Sequence, residues 1–195
     1  MTKKHLCVLC LASGLLAGGP AIADAMEAAV LSDTCAGCHG TDGASAGEAP
    51  VISGLSQAYL ASTMKNYADG TRYSTIMGRI AKGYDPGQIL EISRFYAAKP
   101  WVNADQEVDS GLAAKGQQLH VSKGCIGCHG ADGISPMPTT PRLAGQYIDY
   151  MVITMQQYQD PDLDLTATAM AMRGMLAGLG EEDLRALANF YASQE

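Results

Sequence analysis

The chain has 195 residues, 47% of them hydrophobic, with 13 Lys and Arg against 20 Asp and Glu and a formal charge of −7. That acidic balance argues against nucleic acid and anionic membrane surfaces as partners, since both would repel it. No apolar run reaches the ~20 residues a spanning helix needs, so no membrane span is expected.

Residues 1–25 read as an export signal. Lys3 and Lys4 supply the positive charge, Leu6 to Leu16 a short apolar stretch, and Ala21-Ile22-Ala23 or Ala23-Asp24-Ala25 a small-residue cleavage site. Cleavage after Ala23 or Ala25 is expected, with a periplasmic location in a bacterium. Leu9 stands where a lipoprotein-type box would want a small residue before Cys10. His5, Cys7 and Cys10 leave with the signal, so four cysteines remain, and cleavage after Ala23, which removes two lysines and no acid, takes the charge to −9. Most of the acidic excess falls in the second half.

The remainder is one unit written twice. Cys-Ala-Gly-Cys-His-Gly-Thr-Asp-Gly-Ala-Ser at 35–45 returns as Cys-Ile-Gly-Cys-His-Gly-Ala-Asp-Gly-Ile-Ser at 125–135. Pro50, Gly54, Tyr59, Thr63, Met64 and Tyr67 recur as Pro141, Gly145, Tyr150, Thr154, Met155 and Tyr158. Arg94-Phe95-Tyr96-Ala97 is answered by Asn189-Phe190-Tyr191-Ala192, at an offset four residues longer than that of the tyrosines. The predicted division is a first domain over 26–99, a linker over 100–108 and a second domain over 109–195. Helices are predicted over 26–34, 56–69 and 86–98 and again over 109–123, 145–159 and 181–193, with no alternating β-branched run of useful length. Pro100, Asn103 and Asp105 break any helical pattern in the linker.

Units this small, rich in glycine loops, bury too little surface to be secure alone. The cysteines indicate what fills them. Cys35-x-x-Cys38-His39 and Cys125-x-x-Cys128-His129 carry the spacing at which two thiols bond the vinyl groups of one haem and the next histidine is held beneath the iron. Zinc sites pair such elements at much shorter separations than Cys38 to Cys125, and a redox Cys-x-x-Cys belongs in a βαβ setting. Two covalently bound haem c groups are therefore expected, with His39 and His129 as proximal ligands.

The opposite ligand decides whether the iron carries electrons or binds small molecules, and methionine closes the site while raising the potential. Met77 is the only methionine in the loop between the second and third helices of the first half, whereas Met64 sits on a helix and reads as core. In the second half Met170, Met172 and Met175 compete; Met172 precedes Leu184 by the interval that separates Met77 from Ile89, so the repeat selects it and leaves Met170 as the alternative. His120 reads as partly exposed helix surface. Tyr67 and Tyr158 read as pocket lining or core filling, and Asp160-Pro161-Asp162-Leu163-Asp164 as a solvated turn without a full calcium-loop pattern.

These residues support a family resemblance. Pro50 and Pro141, 11 and 12 residues after their histidines, resemble the proline of small monohaem cytochromes c whose carbonyl holds the proximal ring. The whole mature chain resembles the diheme cytochromes, which implies an all-α protein of two tandem class I cytochrome c-like domains, each wrapped around one haem. The segment Ser74-Thr75-Ile76-Met77-Gly78-Arg79-Ile80-Ala81-Lys82-Gly83-Tyr84 closely resembles the methionine loop of the cytochrome subunit of flavocytochrome c sulfide dehydrogenase, and Lys115 to His120 is similar to that subunit as well. This resemblance implies an electron-transfer chain without catalytic residues of its own, in a heterodimer with an FAD-containing sulfide dehydrogenase subunit, delivering electrons to a soluble cytochrome acceptor. Pro141-Arg142-Leu143-Ala144-Gly145-Gln146 also looks like the cytochrome c-four family of free shuttles, the alternative reading. A diheme peroxidase would need an open iron position, which Met77 and Met172 oppose.

Overall fold

The structure, a computed structural model, describes residues 20–47 and 49–195, with side chains from Met26 onward. Residues 1–19 of the expected export signal lie outside the described residues, and Ala21 to Ala25, where cleavage is expected, form the start of the first helix.

Among the described residues the chain is helical and contains no strand. The first half holds α1 (Pro20–Asp33), α2 (Ala36–His39), α3 (Gln57–Asp69), α4 (Met77–Ala81) and α5 (Pro86–Ala97). The second repeats the order with α6 (Ser110–Ser122), α7 (Ile126–His129), α8 (Ile148–Gln159), α9 (Ala167–Leu176) and α10 (Glu181–Ala192). Local chemistry fixes the ends. Ser56 accepts from the Tyr59 amide at 3.1 Å to start α3, and Gly70 ends it at φ 81°, where a side chain would be strained. Asp85 and Gln88 exchange bonds as a capping box around Pro86 at the head of α5. Asp109 caps α6, and Glu181, Glu182 and Asp183 set negative charge against the N-terminal dipole of α10.

In each half the first long helix packs on the last, α1 on α5 and α6 on α10. The cores differ in extent. Leu55, Leu60, Ile92 and Tyr96 form the buried cluster of the first half, whereas Ile148, Met151, Val152, Met155, Leu176, Leu179, Leu184, Leu187, Ala188, Phe190 and Tyr191 form that of the second. The longer offset of the second copy is spent between α8 and α10: α9 has ten residues where α4 has five.

The segment between the halves has no helix or strand, yet it is tied down. The Ala104 amide donates to the Gly145 carbonyl at 2.8 Å. Gln106 donates to the Gln146 carbonyl and accepts from the Ile148 amide, both at 2.9 Å. Across the seam the Tyr147 hydroxyl donates to the Ser45 carbonyl at 2.9 Å, and the Ser56 hydroxyl to the Pro138 carbonyl. The repeats are therefore docked against each other, not strung on a loose tether.

Candidate functional site

Each Cys-x-x-Cys-His lies on a single helical turn. The His39 amide donates to the Cys35 carbonyl at 2.9 Å and the His129 amide to the Cys125 carbonyl at 3.0 Å. That winding sets the two thiols and the imidazole of each motif on one side of the turn, three and four residues apart. The chain must then bend away at once. Gly40 and Gly130 do so at φ 73° and 74°, where an added Cβ would come within 2.4 and 2.3 Å of the Ala44 and Ile134 carbonyl oxygens.

None of the four motif cysteines pairs in a disulfide; Cys38 and Cys128 are exposed and Cys35 and Cys125 half-buried. Burial pushes the Cys35 and Cys125 thiols up, so both are protonated near neutrality. No group of three His, Cys, Asp or Glu side chains able to hold an ion occurs among the described residues, which is not the donor set of a closed zinc site.

His39 is buried, and its Nδ1 lies 2.8 Å from the Pro50 carbonyl. A carbonyl only accepts, so Nδ1 carries the proton and Nε2 is left with its lone pair free. Burial lowers the pKa of His39, offset in part by that bond, and keeps the ring neutral. His129 is equally buried and is pushed down to about 4, first by burial and then by the neighbouring His120. The Pro141 carbonyl pulls it slightly the other way, but Nδ1 has no partner within hydrogen-bond geometry. Two free thiols and a neutral imidazole on one turn, twice, suit covalent haem attachment with the ring beneath the iron.

Met77, expected in a loop, is instead the first residue of the five-residue helix α4 and half-buried, while Arg79 and Lys82 beside it are exposed. Met172 lies inside α9, half-buried and packed on the second core. Met170 and Met175 are exposed, and Arg173 donates to the Met170 sulfur at 3.7 Å. Arg173 also gathers the Tyr158, Asp160 and Leu163 carbonyls, so a guanidinium ties the acidic turn at 160–164 to the end of α8.

His120 differs from expectation. It is fully buried, because Gly116 lets α6 come close to α10 and turns this face inward. Its Nδ1 lies 2.9 Å from the Tyr191 hydroxyl and its Nε2 2.9 Å from the Gly130 carbonyl, next to His129. One sequence signal points to it: the closing Tyr191 needs a buried partner for its hydroxyl.

Sequence reasoning gave no role to Arg72. Its guanidinium donates to the Tyr59 hydroxyl and the Thr63 hydroxyl, each at 3.3 Å, and to the Tyr150 hydroxyl of the other half at 3.5 Å, and it stacks 5.1 Å from the Tyr67 ring centre. Tyr59 and Tyr150, and Tyr67 and Tyr158, are repeat equivalents. The tyrosines thus meet where the halves dock around a single arginine, and burial raises the Tyr67 and Tyr158 phenols.

Comparison with known proteins agrees with this geometry. The model of the cytochrome c family matches residues 24–98 and again residues 113–195. Over 90 residues, 43% of this chain and 82% of the relative, the sequence is 39% identical to the cytochrome subunit of sulfide dehydrogenase from Chlorobaculum tepidum. Over 204 residues, 96% of this chain and 97% of the relative, it is 26% identical to cytochrome c4 of Azotobacter vinelandii. The crystal structure of reduced recombinant cytochrome c4 from Pseudomonas stutzeri superposes with a TM-score of 0.76 at 23% identity, covering 91% of this chain and all of that one, and shares the fold. With the family model matched in both halves, the chain belongs to the cytochrome c family, as a two-domain c-type cytochrome that binds one covalently attached haem per domain and carries electrons.

Proposed function

We propose that this chain is the electron-accepting subunit of a periplasmic sulfide dehydrogenase, taking electrons from an FAD-containing partner and releasing them singly to a soluble cytochrome. The observation that carries the electron-transfer reading is the His39 ring, fixed by Pro50 with Nε2 free beside two unpaired thiols. The methionine loop at 74–84 and the 39% identity to the Chlorobaculum tepidum subunit favour this partner. Residues 26–99 and 109–195 form the two domains on this reading.

The haem supplies a one-electron iron couple; the chain's own residues set where and how easily that electron sits. Cys35 and Cys38, with Cys125 and Cys128, form the thioether attachments. His39 and His129, each ring kept neutral by burial, would supply an imidazole ligand to the iron of their domain. Met77 and Met172 would supply the remaining iron ligands and so keep exogenous ligands out, which would suit transfer and not catalysis at iron. No helix of the described residues is long and apolar enough to cross a membrane.

A second reading, a free diheme shuttle, draws support from the likeness to cytochrome c4 over nearly the whole of both chains. Purification from the native host separates the two. Flavin absorbance co-eluting with the haem, and reduction of the haem by sulfide only in that complex, is the expected result. A cytochrome that elutes alone and reduces an oxidase directly would transfer the assignment to the shuttle.

A further inference from the structure

Gln146 belongs to the second domain, but its side chain is spent on the first. Its Nε2 donates to the Val51 carbonyl at 2.9 Å and its Oε1 accepts from the Val51 amide at 3.0 Å, so one amide closes a ring with one residue's backbone. Both partners are buried, Val51 completely and Gln146 to within 3%. The Gln146 backbone carbonyl is held in turn by Gln106, and its Oε1 also accepts from the Tyr147 amide at 3.0 Å. The side chain is therefore fixed at its base and at its tip.

Val51 follows Pro50, whose carbonyl accepts the hydrogen bond of His39 Nδ1–H. Clamping the Val51 amide fixes the Pro50–Val51 peptide plane, and with it the direction of the Pro50 carbonyl. The repeat makes this arrangement one-sided. Leu55 stands at the position equivalent to Gln146, and a leucine cannot clamp a backbone. Arg142, equivalent to Val51, lies against the Trp101 ring at 4.9 Å. Correspondingly, the Pro50 carbonyl stands 2.8 Å from His39 Nδ1, whereas the equivalent Pro141 carbonyl acts on His129 from outside good hydrogen-bond geometry.

We propose that Gln146 is a positioning residue, through which the second domain holds the first domain's proximal histidine in its hydrogen bond and so sets the reduction potential of that haem selectively. The inference rests on the reading of His39 as an iron ligand. A hydrogen bond from Nδ1–H makes the imidazole a stronger donor and favours the oxidised iron. Loosening the carbonyl weakens the bond and makes the iron easier to reduce.

The test uses the full diheme protein. Gln146→Met keeps the length of the side chain and removes both bonds; Gln146→Asn keeps the amide but shortens its reach. Each is titrated by spectroelectrochemistry, with NMR exchange of the His39 Nδ1 proton in the oxidised state and circular dichroism as a check of folding. The expected result is faster exchange of that proton and a threefold to tenfold rise in the reduction equilibrium constant of the first haem alone, a tenfold change being about 59 mV for one electron. Gln146→Asn should fall between wild type and Gln146→Met.

Tyr147→Phe is the control, since it removes a neighbouring bond across the seam, to Ser45, and leaves Val51 untouched. An equal shift of both haems, the same shift in Tyr147→Phe, or unchanged potential and exchange in folded Gln146 variants would overturn the proposal. A His39→Ala variant that kept the wild-type spectrum of the first haem would instead remove the ligand reading beneath it.

Discussion

Gly116 on α6 passes Ala186 on α10 so closely that a methyl group at position 116 would lie 2.0 Å from the Ala186 carbonyl oxygen and 2.8 Å from Phe190 Cβ. The obstacle is partly backbone, so no side-chain rotation relieves it. Glycine inside a helix costs about 1 kcal/mol relative to alanine, a cost accepted here for the helix crossing. Gly116→Ala is therefore expected to destabilise the second domain by about 1–3 kcal/mol despite its better helix propensity. Urea unfolding monitored by circular dichroism measures it; an unchanged or raised midpoint would mean that α6 and α10 separate freely.

The same crossing buries His120 and makes it a source of acid sensitivity. The Gly130 carbonyl can only accept, so Nε2 donates to it and Nδ1 of the neutral ring accepts from Tyr191. Burial lowers the pKa of His120, with Gly130 and Asp132 opposing. Since the unfolded chain takes this proton near pH 6.5 and the folded one only lower, the unfolded state binds more protons between the two values. The stability that neutral His120 contributes is whole above about pH 6.5 and lost as pH falls below it, by at most about 1.4 kcal/mol per pH unit. In the haem-loaded protein, His120→Gln should flatten the dependence of the second domain's urea midpoint between pH 7 and 5. A slope identical to wild type would place the titration elsewhere.

The two domains should differ in their need for haem. Among the described residues the first domain's buried cluster is Leu55, Leu60, Ile92 and Tyr96, while the second domain's runs from Ile148 through Tyr191 across three helices. Burying a large apolar side chain stabilises by about 1.5–3 kcal/mol, so the second domain has more to fall back on. Replacing Cys35 and Cys38 by alanine, which abolishes attachment in the first domain, is expected to leave that domain open to limited proteolysis. The matching change at Cys125 and Cys128 should leave residual helix in the second. Equal protease sensitivity in both would contradict the difference in cores.

The long helices and the repeat were legible because their signals are local: Asp85-Pro86 announces the start of α5, and Cys-x-x-Cys-His carries its chemistry in five adjacent residues. The short helices α2, α4 and α7 were not, since four or five residues hold too little periodicity to be read, and the ten-residue α9 was missed as well, its counterpart in the first copy being only the five residues of α4. His120 was misjudged because its burial depends on Gly116 meeting α10, a contact 70 residues distant. Arg72 and Gln146 escaped for a related reason: each acts across the domain seam, and a repeat read as two copies does not say which faces meet.

The assignment of the second methionine can be tested residue by residue. Met170 is exposed with its sulfur toward Arg173, and Met172 is half-buried and packed against the buried core of the second domain. A side chain that closes an iron site must reach inward, and only Met172 combines an inward face with the position that the repeat gives Met77. Met172→His exchanges a thioether for an imidazole and is expected to lower the second haem's potential while leaving the first unchanged. Met170→Leu should alter neither potential, and Met77→His should reproduce the drop in the first haem alone. If spectroelectrochemical titration instead found Met170→Leu, and not Met172→His, changing the second haem, α9 would have to turn in the loaded protein, releasing the Arg173 contacts to Tyr158 and Leu163.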